Sequence, residues 1–262
     1  MLRKIRMVLV ILIMTPLLTI GVSKLVLKYN SLHLSGETVS ELDDFTKVLA
    51  EEMTARTPAF TINYTGDGDA FMADLDNIIK AAYESDDYLH YSWTNISHSA
   101  LQSYYSVTVD FEVTYLTTRE QEDFVDKKAK ELASAIIFAD MTGEEKVKTL
   151  NDYVSQHLVY DYTQQNNNAY SALAYGTANC QGYALLMHKL FAAAGINSKI
   201  ISGEIPEGPH AWNMVNLGGS WYHVDGTNND ASLDGYKYFL KSDGEMRSNG
   251  YTWVSSDFPS AN

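Results

Sequence analysis

A thiol, an imidazole and a carboxylate, in that chain order, are the groups of this sequence best suited to chemistry. They are Cys180, His210 and Asp225, separated by 30 and then 15 residues. A cysteine attacks a carbonyl as its thiolate, so it needs a base within hydrogen-bond reach. That base in turn needs a third group to fix its tautomer. Such a set performs acyl transfer: attack on an amide, a thioester, then resolution by water or an amine. Cys180 is the single cysteine of the chain, which excludes an intrachain disulfide. The ordinary fate of a lone thiol is burial as a small hydrophobe, so its assignment rests on what surrounds it.

The elements around these residues must bring them together. After Cys180 the run QGYALLMHKLFAAAG is apolar on nearly every face and predicts a buried central helix, with Gly195 as its left-handed stop. Cys180 then stands at the amino end, where unpaired N–H groups and the helix dipole lower a thiol pKa and can hold an oxyanion. From His210 the run HAWNMVN predicts a strand that turns at Leu217, Gly218, Gly219 and Ser220 and returns as WYHVD. Pairing Asn216 with Trp221 sets 214 against 223 and 212 against 225. His210, Trp212, His223 and Asp225 then share one face of the hairpin, which the cysteine helix is expected to cover. Asp225 lies diagonal to His210, roughly 7 to 8 Å away between backbones, a gap these side chains bridge.

Other candidates are weaker. His223 shares the face and competes as base, but it lies nearer the turn, opposite Met214. His188 is on the cysteine's own helix, about 12 Å along the axis, too far to serve the thiol. His33, His90, His98 and His157 lie in segments with no comparable constellation and read as packing or surface residues. Trp212 and Trp221 read as packing of the hairpin, with Trp212 also placed to wall the site. Asp161, Asp230 and Asp234 read as solvated or turn-forming.

The remainder of the 262 residues organises into two regions. Residues 37 to 56 suit a helix, and Pro58 opens a strand, AFTINYT. Phe71, Met72, Leu75, Ile78, Ile79 and Ala82 recur at helical spacing. Residues 104 to 116 alternate, with Val107, Val109, Phe111, Val113 and Tyr115 on the buried face of an antiparallel strand. Thr118 with Gln121, and Thr142 with Glu145, have the form of capping boxes opening two further helices, the second carrying Val147, Leu150, Val154 and Leu158. A polar loop, QQNNN, precedes the cysteine segment. Residues 29–117 therefore read as a small α+β leader and 118–262 as the unit that carries the chemistry.

Charge and the amino terminus bound the partners. The net charge is −14, and the first 28 residues carry five positives (Arg3, Lys4, Arg6, Lys24, Lys28) and no acid, leaving −19 on the rest. So acidic a body repels phosphate backbones, and nucleic acid is not an expected partner. Residues 7–23 are uncharged behind the basic start. Residues 1–28 thus read as a signal-anchor or signal peptide, the uncleaved anchor being favoured because no clean small-x-small site follows. The expectation is membrane attachment through this segment, with the body outside the cytoplasm or secreted. Residues 29–36 read as a linker.

The runs TANCQGYA around Cys180, GPHAWNMV around His210 and SWYHVDGT around Asp225 resemble the three signature blocks of the transglutaminase-like superfamily. NDYVSQHLVYDY before them and YKYFLKSDGEM after them resemble its compact bacterial members, and the likeness covers residues 118 to 258. Residues 29–117 resemble the variable leader often found before such domains. The resemblance implies a papain-like α+β core, with the nucleophile on a helix packed on an antiparallel sheet. It implies Cys180 as nucleophile, His210 as general base and acid, and Asp225 as the group orienting His210. It implies no cofactor, and no calcium or other metal is assigned. Because the superfamily spans transamidases, proteases, deglycosylases and inactive members, the reaction stays open. The expectation is amide-bond acyl transfer on a peptide or protein substrate, in the cell envelope, with hydrolysis preferred to crosslinking transamidation. The rival from another class is a non-catalytic envelope binding or scaffolding module of the same fold.

Overall fold

The computed structural model describes residues 36–233 and 235–262. The apolar segment 7–23, His33, Asp234 and all but the last residue of the 29–36 linker lie outside the described residues. Among the described residues no helix is long and apolar enough to cross a membrane. The architecture is mixed α+β.

The leader builds a four-stranded sheet in the order β1-β2-β4-β3, from β1 (Glu37–Val39), β2 (Ala59–Tyr64), β3 (Trp93–Gln102) and β4 (Val107–Tyr115). Helices α1 (Leu42–Thr54) and α2 (Gly68–Glu84) flank β2 in sequence, and α3 (Asp87–His90) is a single turn before β3. On β4 the alternation holds: Val107, Val109, Phe111 and Val113 are buried against Phe45 and Leu49 of α1 and Phe71 and Leu75 of α2. Three expectations change. Residues 37–39 pair parallel with β2 instead of opening the helix, because their backbone groups complete the sheet edge. Tyr104 and Tyr105 precede β4 and stand exposed. Met72 is exposed on α2, although it follows buried Phe71. β3 has no buried face of its own; it is an edge strand held by pairing with β4.

The second unit begins with α4 (Arg119–Ile136) and α5 (Gly143–His157), each opened by the capping box its sequence predicts. Short strands β5 (Val159–Tyr160) and β6 (Thr177–Ala178) pair in parallel around α6 (Ala169–Tyr175). The central helix α7 (Cys180–Ala193) buries Tyr183, Leu185, Leu186, Met187 and Leu190 among α4, α5, α6 and the sheet. It ends before Gly195, whose φ of 74° is the left-handed stop. The antiparallel sheet is β7 (Ser198–Ile205), β8 (Gly208–Leu217) and β9 (Ser220–Val224), followed by α8 (Gly226–Ala231) and α9 (Asp243–Ser248). Asn216 pairs with Trp221 and Met214 with His223, the register read from the sequence. The turn residues Gly218 and Gly219 have φ of 61° and 93°, as a two-residue hairpin turn of this hand requires.

One expectation about this sheet reverses. The face that α7 covers carries Ala211, Val215 and Val224, with Ile200 of β7. Trp212 and Met214 point the other way, into a separate core with Ile201, Met246 and Tyr251. An apolar helix buries the apolar face of a hairpin in preference to one bearing two histidines. The leader is fastened to this unit by a buried Arg56–Glu122 ion pair at 3.1 Å, reached also by Tyr88 from α3.

Candidate active site

Cys180 is the first residue of α7, and its cap is Asn179, whose side chain accepts from the Gly182 N–H at 3.1 Å. Asn179 is fixed in turn by the preceding loop: its N–H donates to Asn166 O at 2.8 Å and its amide to Gln164 Oε1 at 2.9 Å. That loop winds around Asp161. The carboxylate accepts from the Thr163 hydroxyl and N–H, the Gln165 N–H, and the Asn166 N–H and amide, at 2.6 to 3.1 Å. These donors, the Thr163 hydroxyl first, hold its pKa at about 2. Of the two readings given to Asp161, turn-forming is the one that fits. At Gly182 a Cβ would meet Ala178 Cβ at 2.8 Å and the Asn166 carbonyl at 3.1 Å. Only glycine lets the loop close this tightly on the helix start.

His210 lies on β8 opposite Gly203 of β7, and Asp225 directly follows β9 as the cap of α8. Asp225 is fully buried and spends its two oxygens differently. Oδ1 accepts the Asn228 N–H at 3.0 Å, closing the first turn of α8. Oδ2 lies 2.8 Å from His210 Nε2 and also accepts from Tyr251 Oη at 2.6 Å and the Asn228 amide at 2.9 Å. A carboxylate is an acceptor, so Nε2 carries the hydrogen and Nδ1 is the nitrogen left for the thiol. Although α7 covers the opposite face of the sheet, Cys180 stands at its end, where the thiol reaches the His210 ring and the N–H groups of Ala211 and Gln181.

The electrostatics follow from this geometry. Burial pushes the Cys180 thiol up, but the hydrogen bond and charge of His210, with the two N–H groups, outweigh it and bring the pKa below its ordinary value. For His210, burial pushes the pKa down. The charge and hydrogen bond of Asp225, followed by the thiol, raise it to about 10. The two shifts run in the directions that favour a thiolate–imidazolium pair over a neutral thiol and imidazole.

All three residues predicted for the site meet here. His223, the competing base, is fully buried behind Trp212: its Nδ1 accepts from Trp212 Nε1 at 3.0 Å and its Nε2 lies 2.8 Å from Asp243 Oδ1. Trp212 stacks on His210 with centroids 6.0 Å apart, the wall expected of it. His188 bonds Ser198 at 3.0 Å, away from the thiol. Asp230 departs from the reading given to it: it sits on α8 and accepts from Tyr183 Oη at 2.8 Å. Tyr251 and Asn228, both on Asp225, have no counterpart in the sequence reading. Tyr251 comes from beyond α9, with no spacing rule linking it to the hairpin, whereas Asn228 stands at the third position after the Asp225 cap. A cleft of about 820 Å³ opens beside His210, lined among others by Tyr160, Tyr162, Glu207, Asp230, Tyr238 and Tyr251. The sequence, with its short connections around the hairpin, shows no sign of a cleft this large.

The family model that matches this chain spans 130–226, a stretch containing all three residues. Residues 130–226 are a transglutaminase-like superfamily domain. No curated protein matches the chain. Among solved structures, similarity is found to a TGase (14% identity, TM-score 0.34, 73% of this chain and 59% of that one). A cysteine-protease candidate from Cytophaga hutchinsonii shows 14% identity and TM-score 0.39, over 61% of this chain and 66% of that one. A candidate protease from Parabacteroides distasonis shows 9% identity and TM-score 0.31, over 63% and 40%. The chain thus spans less than two thirds of the length of the first of these.

Proposed function

We propose that this transglutaminase-like domain is a cysteine-dependent acyl-transfer enzyme that cleaves amide bonds of peptides or proteins. The observation that carries this reading is His210, whose Nε2 is 2.8 Å from Asp225 and whose ring interacts with the Cys180 thiol. In the proposed reaction the thiolate attacks the amide carbon, and the oxygen takes the electron pair of the C=O bond. N–H groups at the start of α7 are positioned to stabilise that charge. His210 Nδ1–H gives its proton to the leaving nitrogen, the C–N bond breaks and a thioester remains. Water then attacks the thioester, His210 takes its proton, and the thiolate departs with the imidazolium restored.

Hydrolysis is the preferred resolution because Cys180 is part-exposed and the neighbouring cleft is wide and polar at several points, giving water free approach. An amine must arrive deprotonated and shielded to compete. The test supplies a glutamine-containing peptide library with and without millimolar primary amine and follows products by mass. Carboxylate products that depend on Cys180 and His210 support the proposal. Amine adducts in excess of carboxylate would make the chain a transamidase, and no turnover with either would leave a binding module.

A further inference from the structure

The cleft beside His210 holds a carboxylate that the proposed reaction does not use. Asp230 lines it from α8, five residues beyond Asp225. Its Oδ2 is fixed by Tyr183, a buried residue one turn along α7 from Cys180. Among the described residues no lysine, arginine or histidine pairs with Asp230; the Tyr183 hydroxyl is its one partner. Partial burial raises its pKa, and the Tyr183 bond opposes the rise. A carboxylate in that setting gains most from a cation that displaces water.

The walls around it are aromatic. Tyr160 and Tyr162 meet edge to face at 4.9 Å, and Tyr162 is exposed at the rim. Tyr238 and Tyr251, with centroids 5.3 Å apart, line the same cleft. The protein's own Lys237 places its ammonium 4.9 Å from the Tyr238 centroid, so this wall already carries a cation on a ring. Glu207 lines the same cleft. Aromatic side chains in one cleft with a carboxylate that has no cationic partner make a receptor for alkylammonium or guanidinium groups.

We propose that Asp230, with Tyr160, Tyr162 and Tyr238, forms a subsite for a cationic group at the active site. Its occupant is either a lysine or arginine side chain beside the scissile amide or a free amine approaching the thioester. The subsite deepens the acyl-transfer reading and rests on it for its purpose, but its occupancy is measurable without turnover.

The test reads the rate at which iodoacetamide alkylates Cys180 at pH 9, where even an unactivated thiol reacts, so the assay survives failure of the acyl-transfer reading. Butylammonium chloride is compared with butanol as protecting agent. Protection by butylammonium at concentrations where butanol gives none is expected in the wild type. Its apparent affinity should fall on the order of tenfold in Asp230→Asn, which keeps an oxygen for Tyr183, and severalfold in Tyr162→Ala, which removes only an exposed ring. Equal protection by both agents, or unchanged protection in Asp230→Asn, overturns the subsite. Acetylated glutamine peptides carrying lysine or norleucine beside the glutamine then separate the two sources. A kcat/KM loss in Asp230→Asn confined to the lysine peptide assigns the substrate side chain. A raised KM for cadaverine incorporation, with both peptides hydrolysed at the wild-type ratio, assigns the free amine.

Discussion

Replacing Cys180 with alanine should change how the fold's stability responds to pH, and the direction can be worked out from the site. In the unfolded chain the imidazole titrates near 6.5 and the thiol near 9.0; in the fold the thiol lies lower and the imidazole is raised to about 10. A raised histidine contributes stability that is complete below 6.5 and lost as pH rises through about 10. A depressed thiol contributes stability that is complete above 9.0 and lost as pH falls through its folded value. Above both 6.5 and the folded thiol value, and up to 9.0, the two slopes cancel, because the folded pair and the unfolded chain each bind one proton. The wild type should therefore have a flat contribution across this window. In Cys180→Ala the unfolded imidazole loses its proton there while Asp225 still holds it in the fold. Each pH unit then removes up to about 1.4 kcal/mol of stability. From pH 7 to 8.5 the variant should lose up to about 2 kcal/mol relative to wild type, the full figure applying if the folded thiol lies below 7 and the imidazole keeps its raised value without the thiolate. Urea unfolding of both proteins at the two pH values measures this, and other titrating groups drop out of the difference. Parallel behaviour of the two proteins would refute the ion pair.

Two further perturbations probe the groups behind the pair. Tyr251→Phe removes the 2.6 Å hydroxyl bond to Asp225 but leaves the Asn228 amide on the same oxygen. It should cost about 2 kcal/mol in urea unfolding and roughly tenfold in turnover, and unchanged turnover would show that Asp225 is held without it. His223→Leu strands the buried Trp212 N–H. It should lower stability by about 2 kcal/mol while reducing turnover far less than Asp225→Asn, whose effect through the imidazole tautomer is orders of magnitude; the reverse ranking would exchange the two histidines' roles.

The parts of this molecule legible in the sequence are those set by local rules. The capping boxes at Thr118 and Thr142 and the Gly195 stop are read from a few neighbouring residues, and each is observed. The hairpin register is equally local, because Gly218 and Gly219 permit a two-residue turn and side chains alternate from there. What could not be read depends on distant partners. β3 has mostly polar residues and exists because β4 offers it an edge. Tyr251 joins Asp225 across 26 residues and a change of direction at α9. The face that α7 covers is not legible from alternation, which identifies two faces without saying which one the helix takes. The apolar content of Ala211, Val215 and Val224 decides it, because the helix buries the face that carries them.

The same hairpin explains why one histidine, and not its neighbour, suits a base. His210 and His223 both belong to β8–β9, and each has a carboxylate 2.8 Å from Nε2. What differs is the second nitrogen. In His223, Nδ1 accepts the Trp212 N–H, so adding a proton there would set two hydrogens against each other within a buried contact. Burial, the larger influence, and nearby Arg247 also depress its pKa despite Asp243. His223 is therefore locked neutral and serves to orient the indole. In His210, Nδ1 meets a thiol that can lose its proton to the ring, and Asp225 is fully buried with its charge directed at that ring. Trp212 stacks on one ring and donates to the other, so a single side chain holds both imidazoles in place. Two imidazole–carboxylate pairs with like geometry thus diverge through the group at Nδ1: a donor fixes one as structure, and a proton-yielding thiol equips the other for proton transfer.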